Sequence, residues 1–324
     1  MPHEIAPADI RRQVLADGDV SVAVLNLGCI TQDWRVPHRG ARVPVVLGYD
    51  DPAAYIDNPF YLGALVGRVA NRIAGAGFTL NGTSHRLAAN TPPHVLHGGA
   101  GGIGKRLWTM ETDGSRALQL RLTSPDGDQG FPGRADFTVT ISLSGTTLTH
   151  DMQATVDRPT PINLAHHNYF NLMGHGTARD HVLHIPSDHV TEVDADMIPT
   201  GRLLPVAGTR HDFNRPRALS EADPRAEGYD ENHVLTGDAA TLAAPNGLTL
   251  KLHTDQPGLQ LYSSRYLAPR HTPLADQSHA PYSAICLEAQ HFPDAVNHPH
   301  FPSIIATPDA PYRQRLSVTI GAAS

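Results

Sequence analysis

Four stretches of the chain set polar side chains beside Gly or Pro in ways that a packed strand does not require. They are Gly67-Arg68-Val69-Ala70-Asn71-Arg72-Ile73, Leu96-His97-Gly98-Gly99 with Gly104-Lys105-Arg106-Leu107-Trp108 close behind, His167-Asn168-Tyr169-Phe170-Asn171-Leu172, and Leu287-Glu288-Ala289-Gln290 leading to Phe292-Pro293-Asp294-Ala295-Val296-Asn297. Between them they carry a carboxyl group, imidazoles and guanidiniums, the equipment of general acid–base catalysis. Glu288 follows the apolar run Ile285-Cys286-Leu287, so its strand is able to bury it, and a buried carboxyl needs a role or a partner. Each residue also has a plainer reading. Glu288 suits a salt-bridged strand, His97 a tight turn beside two glycines, and His167, next to His166, an ordinary core histidine. Arg72 suits a structural ion pair and Asp230 a turn, while Asp294 and Asn297 suit the shaping of a loop.

The remaining sequence must supply a frame that brings these stretches together. Alternation at period two recurs along it. Leu118, Leu120 and Leu122 alternate with polar residues, as do Phe137, Val139, Ile141 and Leu143, and Leu248, Leu250 and Leu252. Each run predicts a strand with one buried face. Asn81-Gly82 and Asn246-Gly247 predict type I′ hairpin turns, because both central residues of that turn need positive φ. Ser144-Gly145-Thr146 predicts a third hairpin, joining strands over 136–143 and 147–156. The 28 glycines and 27 prolines are spread along the 324 residues, which suits many short strands better than long helices. No Gly-rich loop sits between a strand and a helix, so dinucleotide-binding and P-loop architectures are excluded. The expected fold is all-β, a large antiparallel β-sandwich or barrel formed by residues 1–324 as a single domain.

Composition narrows the partners. A net charge of −7 without a Lys/Arg block argues against nucleic acid. The N-terminus, Met1-Pro2-His3-Glu4-Ile5, lacks the features of a signal peptide, and no apolar run approaches the ~20 residues that span a bilayer. Cys29 and Cys286 read as buried free thiols, and a cytoplasmic protein with no membrane partner is expected. Twenty histidines raise the question of metal, yet there is no His-Glu-x-x-His or Cys-x-x-Cys spacing, and no metal or other cofactor is expected.

Taken together, in this order and spacing, the four stretches resemble the aldose 1-epimerase (galactose mutarotase) family. Ser124-Pro125-Asp126-Gly127-Asp128-Gln129-Gly130-Phe131-Pro132-Gly133, Pro199-Thr200-Gly201 leading to Asp212-Phe213, and Gly228-Tyr229-Asp230 are similar to it as well, so the resemblance spans about residues 20 to 317. It implies a galactose mutarotase-like β-sandwich with a monosaccharide in its concave face, acting as a monomer or weak homodimer. It implies Glu288 as catalytic base, His167 as catalytic acid and His97 as a second active-site histidine. Asn71, Arg72, Asp230 and Gln260 fall on sugar-binding positions. Trp108 and Phe292 are candidates for a flat apolar face against the sugar. Two departures stand out. Tyr262-Ser263-Ser264-Arg265 lacks the family's usual Gly-Asn, and Thr307-Pro308-Asp309 replaces the usual Arg-Pro-Gly, so one rim of the pocket and the substrate preference are expected to differ.

The implied reaction interconverts the α and β anomers of a free hexose such as glucose or galactose. Opening the hemiacetal removes the anomeric hydroxyl proton and places one on the ring oxygen; rotation about C1–C2 and closure follow. The expected reactive state is an ionised Glu288 facing a protonated His167. Three rival functions make other demands on the sequence. A hexose-phosphate epimerase needs an Arg/Lys cluster, for which only Arg68, Arg72, Lys105 and Arg106 qualify. A carbohydrate-binding module needs no acid–base pair. A cupin-like metal enzyme needs ligand spacing that is missing.

Overall fold

The computed structural model describes residues 5–322, so Met1–Glu4, read above for a leader, lie outside the described residues. Alternation becomes sheet as expected. Strand Ala135–Ser144 buries every second residue from Ala135 to Leu143, and Ala117–Ser124 and Leu248–Thr254 follow the same rule over most of their length. They belong to a nine-stranded antiparallel sheet, in the order Thr109–Asp113, Ala117–Ser124, Ala135–Ser144, Thr147–Val156, Tyr312–Ala322, Leu248–Thr254, Ala239–Ala243, Val182–His184 and Arg217–Ala218. The last long strand of the chain thus sits mid-sheet, joining the strands before residue 160 to those after 180.

A second antiparallel sheet of six strands runs Tyr169–Phe170, Ile285–Gln290, Gly258–Tyr262, Asp230–Leu235, Ser187–Val193 and Pro199–Pro205. The two sheets face each other across one core. Phe137, Val139, Ile141, Leu250 and Val318 from the larger sheet cluster with Leu259, Leu261, Ile285, Leu287 and Ala289 from the smaller. Each large apolar side chain buried there contributes about 1.5–3 kcal/mol. A four-stranded sheet, Arg12–Asp17 to Ala41–Pro44, adds Trp34 and Val36 to the same core.

The turns divide. Asn81 and Gly82 both have positive φ (50° and 79°) between strands Gly77–Leu80 and Thr83–Arg86, as the I′ signal predicts. At Asn246-Gly247 only Gly247 has positive φ, at 93°. Pro245 presets a type I turn in which the Gly247 N–H donates to Ala244 O at 2.9 Å, so the loop is one residue longer than expected. The third hairpin turns between Ser144 and Thr147 as read. Cys29 and Cys286 are free and buried. Among the described residues no helix is long and apolar enough to cross a membrane.

Candidate active site

The six-stranded sheet has two faces with opposite chemistry. Ile285, Leu287 and Ala289 point into the core, so strand periodicity turns Glu288 to the other face. Its cross-strand neighbour is Gln260, whose own neighbour on the next strand is Asn232. Asp230 and Tyr262 form the adjacent row. The apolar strand that looked able to bury a carboxyl does so, because its alternate residues hold the sandwich together. Glu288 is 2% exposed.

Over this face lies a cleft of about 560 Å³. Glu288, His167, His97, Asn71, Arg72 and Asp230 all line it; Gln260 is buried just behind, donating from Nε2 to Asp230 Oδ1 at 2.7 Å. His167 Nε2 stands 3.6 Å from Glu288 Oε1, too far for a hydrogen bond. The imidazole stacks on Tyr169 (centroids 5.1 Å, planes 15° apart) and meets His97 edge-on at 5.5 Å. The choice between the adjacent histidines is also visible. His166 points away from the cleft, its ring 4.4 Å from that of His150 and its Nε2 3.3 Å from Cys29 O.

Asn71 and His97 lock one another. The His97 N–H donates to Asn71 O at 2.9 Å, and the Asn71 N–H donates to His97 Nδ1 at 3.1 Å. Both residues sit in the left-handed region, with φ of 59° and 51°, at roughly 1–3 kcal/mol each. Next to them Gly98 is obligatory: φ is 81°, and a Cβ would lie 1.9 Å from Gly67 O. The tight-turn reading of His97 and the cleft position therefore hold together. Because its Nδ1 accepts a hydrogen bond, neutral His97 carries its proton on Nε2.

Burial governs the charges. Desolvation pushes the Glu288 carboxyl well above the usual carboxylate range, and the negative charge of Asp230 adds to it. Desolvation pushes His167 down to about 3 and His97 well below the usual imidazole range. Asp230 is raised by burial, against the opposing pull of Arg72 and the Gln260 hydrogen bond. The expected ionised Glu288 and protonated His167 are thus not the resting state. Burial therefore favours a protonated carboxyl beside a neutral imidazole, since an ion pair loses more hydration than it regains.

Other expectations are corrected. Trp108 and Phe292 offer no face to the cleft. Trp108 packs in the main core with its Nε1 donating to Ile103 O at 3.0 Å, and Phe292 packs against Phe301. The aromatic lining comes instead from Phe60, Tyr61, Tyr169, Tyr262 and Tyr266. Arg68 and Arg106 are committed elsewhere. Buried Arg68 donates to Ser124, Pro125, Pro132 and Gly133 carbonyls, pinning the Ser124–Gly133 turn, and Arg106 pairs with Asp128 at 2.7 Å. Asp294 and Asn297 do shape a loop: Asp294 Oδ1 accepts from Ala74 N and from Asn297 Nδ2. Thr307-Pro308-Asp309 forms a surface turn and does not line the cleft. Ser264 takes the left-handed conformation (φ 52°) that a glycine would adopt, anchored by Oγ donating to Ala284 O at 2.8 Å. Arg210, Glu231, Met197 and Phe60 also line the cleft; Met197, Arg210 and Glu231 adjoin recognised stretches, but nothing in the sequence marks which of their neighbours face the cleft.

His97, His167 and Glu288 could in principle hold a metal ion, their ligand atoms lying within 4.8 Å of one another. The donor set fits poorly. His97 Nδ1 is occupied by the Asn71 N–H, and Nε2 carries a proton rather than a lone pair. The arrangement is better suited to exchanging protons with a neutral ligand.

The paired sheets and the carboxyl–imidazole cleft define the class: a β-sandwich protein whose cleft is equipped for proton transfer. The sequence profile described as aldose 1-epimerase matches residues 11–319. The galactose mutarotase of Bos taurus is 37% identical over 309 residues, covering 92% of this chain and 90% of that one. The aldose 1-epimerase of Escherichia coli K12 is 36% identical, covering 83% and 84%. Among solved structures, the aldose epimerase homologue from C. elegans superposes with a TM-score of 0.92 at 27% identity, covering 97% of this chain and all of that one. The chain belongs to the aldose 1-epimerase family, and its reaction is the interconversion of sugar anomers.

Proposed function

We propose that the chain, folding as one domain, interconverts the α and β anomers of free hexoses such as galactose and glucose through the Glu288–His167 pair. Glu288 takes the proton of the anomeric hydroxyl and His167 delivers one to the ring oxygen. The reactive pair is carboxylate plus imidazolium, and ring opening converts it into neutral acid plus neutral imidazole. Burial favours that neutral form, so transfer out of the ion-pair tautomer is downhill, while the same burial makes that tautomer the minor one at rest. Closure on the other face of the aldehyde runs the same transfers backwards. Each transfer supplies roughly 10²–10⁴-fold.

The remaining residues hold the ring. His97 presents its Nε2–H as a donor, and Asn71 and Asp230 contribute an amide and a carboxylate to sugar hydroxyls. Among the described residues no carboxylate lies within ion-pairing distance of Arg72, which lines the cleft, so its guanidinium is left for the substrate. Gln260 steadies Asp230. The observation that carries this reading is the buried carboxyl of Glu288, 3.6 Å from a buried imidazole at the floor of an open cleft. A binding module needs no such pair, and the commitment of Arg68 and Arg106 to the Asp128 turn removes half of the cluster a phosphorylated sugar would need. The galactose mutarotases among the relatives support the choice of sugar. Polarimetry of fresh α-galactose and α-glucose tests it: the protein should accelerate the approach to equilibrium rotation over a buffer blank, and an unchanged decay would reject the reading.

A further inference from the structure

Beyond the residues assigned to the ring, Arg210, Glu227, Glu231, Arg265 and Tyr266 line the cleft as an outer wall, with Arg265 and Tyr266 exposed. Charges there do not cancel. Arg210 is engaged by Asp223 (3.5 Å) and Glu227 (3.1 Å), and Arg225 by Glu227 (2.9 Å). Arg265 has no carboxylate within ion-pairing distance among the described residues; it donates to the Glu227 carbonyl and its guanidinium lies over the Tyr266 ring at 5.5 Å. Arg210 and Arg225 thus share the carboxylates of Asp223 and Glu227, and Arg265 is left without one. The third acid, Glu231, spends Oε2 on the Asp230 N–H and is pushed by burial up to about 7, so it carries only part of a charge at neutral pH. Arg265 is held over Gly228, where a Cβ would meet its Cδ at 2.9 Å, so the cation is preplaced at the rim. It also occupies the stretch in which this chain departs from the Gly-Asn usual in its family.

The geometry points to Arg265 as a specificity-determining residue that admits aldoses carrying a carboxylate at the end remote from C1, the hexuronic acids, as additional substrates. One surplus guanidinium matches a monoanion by forked hydrogen bonding, whereas a phosphate dianion would leave charge unbalanced. The chemistry at C1 is unchanged, and the inference rests on the anomer-converting reading above. The test compares galactose, galacturonate and galactose 6-phosphate by polarimetry with wild type, Arg265→Ala and Arg265→Lys. Wild type should turn over galacturonate, and Arg265→Ala should lower the ratio of kcat/KM for galacturonate to that for galactose at least ~10-fold, with partial recovery in Arg265→Lys. Failure on galacturonate alone overturns this inference, whereas failure on galactose as well overturns the reaction assignment. Equal losses on both sugars in Arg265→Ala would make the residue merely structural and also overturn it. Turnover of galactose 6-phosphate matching that of galacturonate would overturn the carboxylate assignment.

Discussion

At the scale of the residue, the proposed reaction uses one proton held by either of two buried groups. Its useful pH range follows from the directions of their shifts. Below about 3, where His167 takes up a proton, the pair holds two and has no base. Above the raised value of Glu288 the pair holds none and has no acid. A broad plateau in kcat/KM is expected, with both limits belonging to the pair rather than to either residue. Asp230 raises Glu288 through its negative charge, so Asp230→Asn should move the alkaline limb to lower pH. A limb that stays in place would place Asp230 outside the electrostatics of the pair. Chelation should leave activity intact, because His97 carries a proton where a metal would need a lone pair. Loss with EDTA and recovery with a divalent ion would contradict this. Much at this scale was legible beforehand, since Glu288, His167 and His97 stand in distinctive surroundings. Their protonation was not, because it depends on how much water the folded cleft removes, and the sequence beside Arg210 and Glu231 does not show that they face the cleft.

At the scale of the element, period two does most of the positioning. One strand, Ile285–Gln290, sends Leu287 and Ala289 into the core and Glu288 into the cleft, so stability and chemistry share a backbone. The Asn71–His97 lock and the Gly98 crossing hold the other wall. Gly98→Ala should displace His97 and Asn71 together, lowering Tm by several degrees and kcat by about tenfold or more. A variant with wild-type Tm and rate would show that the Gly67–Gly98 crossing tolerates a side chain. Strand runs such as Phe137–Leu143 were readable because alternation needs no partner to be recognised. The Asn246 turn was misread because Pro245, one residue upstream, presets a different turn. Trp108 and Phe292 were misplaced for a related reason: nearness to a motif in sequence does not reveal which face a side chain takes.

At the scale of the whole molecule, the cost of the site appears in stability. The folded state raises the Glu288 pKa, so its contribution is fully present below the unfolded value near ~4.3 and is lost as pH rises through the folded one. Glu288→Gln removes that loss. The Tm of the variant should gain on wild type from about pH 4 upwards, the gap widening until Glu288 ionises in the native protein. A gap independent of pH would mean that the carboxyl is better solvated than its burial implies. The sandwich itself was expected from the spread of turns and alternating runs. The outer wall of the cleft was not, for it is assembled from loops distant in sequence.

Glu288 is the group on which the proposed catalysis depends most, and its role is tested most directly by optical-rotation decay of α-galactose with equal amounts of wild type and Glu288→Gln, the fold of the variant checked by circular dichroism. Loss of the base from one proton transfer predicts a fall in kcat of at least ~10²-fold. A folded variant that restores equilibrium rotation at a near-normal rate would contradict the account.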